Sequence, residues 1–186
     1  PNEIQPLSTN PLCYPRRILL TGATGFLGAY LLNELRLLPN AEVFCLIRAN
    51  SHQEAVQKLN NTLHLCQMSH LCNLSNIKAL CGDLSKNKLG LSEIDYLYAA
   101  NNIDTIYHNG AFVHHLYDYE YMRNTNVCST KELLKLATLH SNKKIHFIST
   151  ISIKDFDIHG KLSSNATNWS FLELNGYLLT KWVSEQ

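Results

Sequence analysis

Tyr177 and Lys181 stand four residues apart in Gly-Tyr-Leu-Leu-Thr-Lys, a separation that sets a phenol and an ammonium on one face of a helix, where both can address one ligand. A free tyrosine, with a pKa of about 10, is a poor acid–base group at neutral pH, but a nearby positive charge favours its phenolate and moves it toward the working range. A third group of the same kind lies upstream. Phe147-Ile148-Ser149-Thr150 carries a hydroxyl to the carboxyl end of an apolar run, where open α/β sheets place their ligands. Alternation along a strand sends Ser149 and Thr150 to opposite faces. Thr150 is the preferred partner of Tyr177, and Ser149 is the competing assignment.

A second constellation is made of backbone. Thr21-Gly22-Ala23-Thr24-Gly25-Phe26-Leu27-Gly28 sits where the apolar run Ile18-Leu19-Leu20 hands over to an amphipathic helix. Glycines at such a junction let the chain bend sharply and let its amides approach phosphate oxygens, while the new helix points its positive end at the same charge. The spacing is G-x-x-G-x-x-G rather than G-x-G-x-x-G, and the strand before it and helix after it supply the context the motif requires. A dinucleotide is the ligand expected of Gly22, Thr24, Gly25, Phe26, Leu27 and Gly28. An NAD site places Asp or Glu about 20 residues beyond such a turn, whereas NADP needs a positive charge there. Here Val43 to Gln53 holds no carboxylate and offers Arg48, with Lys58 a little further on. A solvated surface role is the competing reading for both. Small residues at Asn109, Gly110 and Ala111 leave room for ribose and nicotinamide after the fourth apolar run, or form a simple tight turn.

These groups need a scaffold. Short apolar runs alternate with helical patterns in the order that makes a parallel sheet. Strands are expected at Arg17–Leu20, Val43–Ile47, Ile77–Cys81, Thr105–His108 and Ile145–Ser149, and helices at Phe26–Leu38, His52–Gln67, Ser92–Asn101, Tyr119–His140 and from about Asn175. The fold class is α/β, a doubly wound parallel, Rossmann-like sheet, and the pattern reads as truncated before a C-terminal substrate region. Residues 1–15 read as a leader or linker, and Lys154 to Leu174 as a long loop over the strand ends.

Composition narrows the partners. With 186 residues, 45% of them hydrophobic, one domain with a substantial core is expected. Sixteen basic and 15 acidic residues leave a net charge of +1, with no electrostatic footprint for nucleic acid or an anionic membrane. No run approaches a membrane span, and the polar start lacks the order of a signal peptide, so a cytoplasmic protein is expected. Six scattered cysteines suggest reduced thiols, with Cys45 and Cys81 packing as small hydrophobes. His64, Cys66, His70 and Cys72 have ligand chemistry but spread around a helix, so no metal is expected.

Thr21–Gly28, Thr150, Tyr177 and Lys181 together resemble the extended short-chain dehydrogenase/reductase family, from Arg16 onward. Adding Cys45-Leu46-Ile47-Arg48-Ala49, Gly82-Asp83-Leu84, Ile106-Tyr107-His108-Asn109-Gly110-Ala111, Asn126-Val127, Ile148-Ser149-Thr150-Ile151-Ser152 and Gly176 to Trp182, the chain is similar to the thioester reductase domains of nonribosomal peptide synthetases, polyketide assembly lines and carboxylic acid reductases. The resemblance implies a single NADP-binding domain over 16–186, lacking its C-terminal substrate-binding part. It also implies NADPH-dependent release of an acyl chain from a phosphopantetheine carrier protein, as aldehyde or alcohol. Thr150, Tyr177 and Lys181 would be catalytic, with Lys181 also on the nicotinamide ribose. Asp83, with Leu84 beside it, would meet the adenine amino group, and Asn126 would support the active site; a turn aspartate and a buried structural amide are the competing readings. His114 and Asp118 stand where such domains commonly have Asn and Pro, so the substrate-side wall departs from the pattern. His114 and His115 are read as packing or surface residues, since Tyr177 already fills the acid–base role. Another extended reductase, epimerase or dehydratase, and a non-catalytic NADP-binding module, remain alternatives, and the fragment itself is open to being inactive.

Overall fold

A computed structural model describes residues 15–153 and 175–186. The expected leader and the expected loop from Lys154 to Leu174 therefore lie almost wholly outside the described residues. Five strands, β1 (Arg17–Thr21), β2 (Glu42–Arg48), β3 (Ile77–Gly82), β4 (Thr105–His108) and β5 (Lys144–Phe147), form one parallel sheet in the order β3-β2-β1-β4-β5. The helices are α1 (Phe26–Leu35), α2 (His52–Leu65), α3 (Glu93–Asn102), α4 (Tyr119–Arg123), α5 (Ser129–Thr138) and α6 (Gly176–Glu185). The winding reverses at β1, whose neighbours are β2 on one side and β4 on the other, and such a switch point opens a crevice at the carboxyl ends of the strands.

Alternate residues of the central strands face opposite layers, which is why these strands read as continuous apolar runs. Ile18, Leu20, Val43, Cys45 and Ile47 pack with Ala29 and Leu32 of α1 and Leu59 and Leu63 of α2. Leu19, Phe44, Leu46 and Ile106 pack on the other side with Ala99 and Ala100 of α3 and Leu133 and Leu136 of α5. Burial pushes the Cys45 thiol up to about 12, so it behaves as the small hydrophobe the composition suggested.

Beyond shifts of a few residues at helix ends, the structure departs from the sequence expectation in three places. β5 stops at Phe147 rather than Ser149, because its partner β4 stops at His108, opposite Phe147. Ser149 and Thr150 thus lie beyond the strand, and the alternation used to choose between them does not apply. The helix expected over Tyr119–His140 is α4 and α5 joined through a π-helical segment, Asn124–Cys128. The third departure concerns His64 and Cys72, expected on one helix: His64 ends α2, Cys72 follows a separate 3-10 turn at Ser69–Leu71, and the two come within 3.9 Å.

Candidate functional site

Side chains cap the first turns of α2, α3, α4 and α6: Ser51, Ser92, Asp118 and Asn175 each accept an amide N–H. The turn before α1 is different. Its N-cap is Gly25, and among the described residues no side chain satisfies the first amides, which leaves donors and the positive end of the helix dipole open toward the switch point. Gly22 adopts φ +74°, and a Cβ on it would lie 2.7 Å from the nitrogen and Cα of Gly110, so only glycine lets the end of β1 lie this close to the end of β4. Gly28 is buried where α1 crosses Gly22.

The crevice that results has a volume of about 400 Å³. The glycine-turn residues Gly22, Thr24, Gly25, Phe26 and Leu27 form one wall. Arg48, Asp83 and Leu84 close one end, and Asn109, Gly110 and Ala111, continuing to Val113 and Thr125, form the other. Phe26 is 77% exposed at its lip, an apolar side chain left for a ligand to cover. The donor set suits a dinucleotide diphosphate: main-chain amides at an uncapped helix start, with the cationic Arg48 at one end.

Arg48 ends β2 at the surface. Lys58 reaches the same place from α2 but is engaged: its Nζ donates to the Arg48 carbonyl at 2.8 Å and pairs with Glu54 at 2.7 Å. Asp83 accepts from the amide and hydroxyl of Ser85, at 2.9 and 2.7 Å. Burial raises its pKa, but these hydrogen bonds, with Lys86 and Arg48 nearby, outweigh burial and hold the carboxyl below its usual range. The turn-aspartate reading and a place in the crevice are therefore both met by one residue.

A buried joint ties the two walls together. The Gly110 amide donates to the Thr21 hydroxyl at 2.8 Å, which in turn lies 2.8 Å from His108 Nδ1. Burial, aided by the Lys181 charge, pushes His108 down to about 3, so its ring is neutral, with one nitrogen a donor and the other an acceptor; Nδ1 meets the Thr21 hydroxyl and Nε2 the Ser129 hydroxyl at 3.5 Å. The sequence reading missed His108. A histidine inside an apolar strand must find a polar partner, and the threonine ending the neighbouring strand was the available signal.

At the Tyr177–Lys181 end, Lys181 is buried on α6, with Nζ donating to the Ile148 carbonyl at 2.7 Å and lying 4.6 Å from the centre of the Phe147 ring. Burial lowers its pKa to about 8, against a raising effect of Glu185. The Tyr177 phenol is raised by burial, opposite in direction to the lowering expected from Lys181, whose ammonium is turned to the Ile148 carbonyl. Thr150 follows that carbonyl by two residues, and its hydroxyl accepts the Ser152 amide at 3.3 Å, while Ser149 Oγ is buried without a partner among the described residues. The turn Ile151–Ile153 packs on α6 through Ile153, Leu178 and Tyr177.

Asn126 fixes α6 against the crevice. Its Oδ1 accepts the Phe112 amide at 2.7 Å, and its Nδ2 donates to the Phe112 carbonyl at 2.9 Å and to Thr180 Oγ1 at 3.0 Å. The Asn126 carbonyl accepts from Ser184 at 3.1 Å and Thr130 at 3.0 Å. Thr180 and Ser184, one on each side of Lys181, were not anticipated. A Cβ on Gly176 would collide with the Tyr117 carbonyl, so the start of α6 lies directly on the segment before α4. His114 stacks among Phe112 and Tyr117, consistent with packing rather than proton transfer.

The family described as "Male sterility protein", an NAD-binding family, matches residues 20–186. A linear gramicidin synthase of Brevibacillus parabrevis is 36% identical over 97% of this chain and 4% of its own length. The carboxylic acid reductase of Mycobacterium tuberculosis is 31% identical over 94% of this chain and 16% of its own. Among solved structures, the terminal R domain of the myxalamid PKS-NRPS pathway superposes with a TM-score of 0.81 at 37% identity, covering 97% of this chain and 45% of that one. The chain thus spans less than half of that reductase domain and a small part of the curated relatives. Among the described residues, no helix is long and apolar enough to cross a membrane.

Proposed function

The chain belongs to the NAD-binding family described as Male sterility protein, among the reductase domains of peptide synthetases and carboxylic acid reductases, and from that premise we propose that its parent protein uses NADPH to release an acyl chain from a phosphopantetheine carrier as an aldehyde, or as an alcohol after a second reduction. The observation that carries the reading is the clamp at Asn126, which joins the wall of the dinucleotide crevice at Phe112 to the helix bearing Tyr177 and Lys181. One nicotinamide-binding crevice and one phenol–ammonium pair then belong to the same site.

NADP(H) would be held by the amides of Gly22 to Gly28, with its 2′-phosphate toward Arg48 and Lys58, its adenine toward Asp83 and Leu84, and its ribose and nicotinamide toward Asn109, Gly110, Ala111 and Lys181. When bound, the reduced nicotinamide supplies hydride to the thioester carbonyl. Thr150 and Tyr177 donate hydrogen bonds to the carbonyl oxygen, where negative charge accumulates. Tyr177, kept protonated by burial, gives that oxygen its proton. Lys181 has three N–H donors and uses one on Ile148; two remain to hold a ribose and to offset charge on the phenol once it has lost its proton. The hemithioacetal so formed expels the pantetheine thiol and leaves the aldehyde. We place the reaction in the cytoplasm, in keeping with free thiols at Cys45, Cys66, Cys72, Cys81 and Cys128.

The test uses the full-length parent with NADPH and a panel of acyl-pantetheine thioesters, with released products identified by mass. Tyr177→Phe is expected to lower turnover by about 100-fold or more while NADPH affinity stays within about twofold. Turnover retained in that variant refutes the assignment.

A further inference from the structure

Beside the dinucleotide crevice, and sharing Arg48 and Asp83 with it, lies a second recess of about 290 Å³. Three elements bring cations to it: Arg48 at the end of β2, Lys58 on α2 and Lys86 in the turn after β3. The cations are not equivalent. Lys58 is already matched by the Glu54 carboxylate, which is itself fixed by the Asn50 amide at 2.7 Å. Lys86 makes no ion pair or side-chain hydrogen bond among the described residues, and with Arg48 it acts on the Asp83 carboxyl. Asp83 is the recess's own acidic group, and Ser85 holds one of its oxygens within the turn.

The turn that presents Lys86 is rigid. The Lys86 amide donates to the Asp83 carbonyl at 3.1 Å and the Asp83 amide to the Leu89 carbonyl at 2.6 Å, and the fully buried Leu89 side chain anchors the loop. Lys88 and Leu89 hold φ of +50° and +60° to close it, an arrangement that persists only where packing over-determines it. The recess is thus a built cationic concavity, opening onto the crevice at the end marked by Arg48.

We propose that Lys86 is a cofactor-specificity residue, a third cation that with Arg48 takes the 2′-phosphate of the dinucleotide and leaves Lys58 in a supporting part. The proposal rests on the NADPH reading above, but it concerns nucleotide binding alone. Arg48 presents a planar fork to phosphate oxygens and Lys86 a mobile point charge from the turn after the neighbouring strand, so together they reach an anion from two sides.

The experiment titrates the full-length parent with 2′,5′-ADP and with 5′-AMP, which differ by that one phosphate, by calorimetry. Lys86→Gln is expected to weaken 2′,5′-ADP about tenfold and to leave 5′-AMP within about twofold, with Lys86→Arg restoring most of the loss. Lys88→Gln, two residues away and paired with Glu93, is expected to change neither. Equal binding of the two nucleotides by the unaltered protein, or 2′,5′-ADP affinity unchanged in Lys86→Gln, overturns the proposal. Failure of the reductase reading appears elsewhere, as absence of thioester turnover in the unaltered protein while the nucleotide titration still discriminates.

Discussion

The two ends of the crevice are built by different means. The glycine-turn end comes from eight contiguous residues and works through backbone: an uncapped helix start and a glycine that lets two strand ends nearly touch. The end proposed to be catalytic is assembled from the π-helical segment, the chain beyond β5 and α6, joined by side-chain hydrogen bonds from Asn126 and Lys181. A backbone site is local and tolerates most side-chain changes except loss of a glycine. A site joined by side chains depends on residues that never touch the reacting atoms.

The sharpest way to break the first end is Gly22→Val. A branched side chain at φ +74° facing the Gly110 backbone costs about 3 kcal/mol or more in strain and overpacking, and nucleotide affinity in a fluorescence titration is expected to fall by roughly 100-fold. Asn126→Ala attacks the second end. It strands the half-buried Phe112 amide, costing about 1–2 kcal/mol of stability in a denaturant titration, and lowers kcat by about tenfold with NADPH affinity within twofold. If both parameters fall together, the two ends are one unit and the contrast fails.

A pH profile separates the ends more gently. Lys181 is lowered to about 8, so its ammonium is present below that pH and lost above it. For the free enzyme, kcat/KM is expected to decline as pH rises through about 8, while 2′,5′-ADP affinity, set by the other end, stays flat over the same range. The smallest effect belongs to Ser51→Ala, which removes the α2 cap and costs about 1 kcal/mol of stability, with activity per folded molecule unchanged.

Legibility in the sequence follows the same division. The strand, glycine turn and helix from Ile18 to Leu32, and Arg48 ending β2, were readable because each signal lies in one contiguous run. Helix ends fall short of the apolar periodicity: α1 stops at Leu35 ahead of Pro39 and Asn40, the latter at φ +59°, and α2 stops before Gln67 at φ +60°, both left-handed positions of the kind that end helices. The end of β5 was not readable, because it is set by the length of its partner β4 rather than by its own residues. Nor was the π-helical segment, since helical periodicity does not reveal one widened turn inside an apolar pattern. Yet that turn is where Asn126 points both its amide groups at useful partners. The tying of Lys58 to Glu54 was likewise invisible in a count of cations.

Thr21 has one more consequence. Ile18, Leu19 and Leu20 are wholly buried and all aliphatic, so greasiness alone gives the central strand little reason to prefer its place over one slipped along its neighbour. Thr21 stands opposite His108, and sliding β1 by one residue would set Leu20 or Gly22 there instead, leaving Nδ1 of a buried imidazole without the hydroxyl that meets it. The pair acts as a locating pin: it holds the central strand in step with β4, and so delivers the glycine bend to the same spot each time the chain folds.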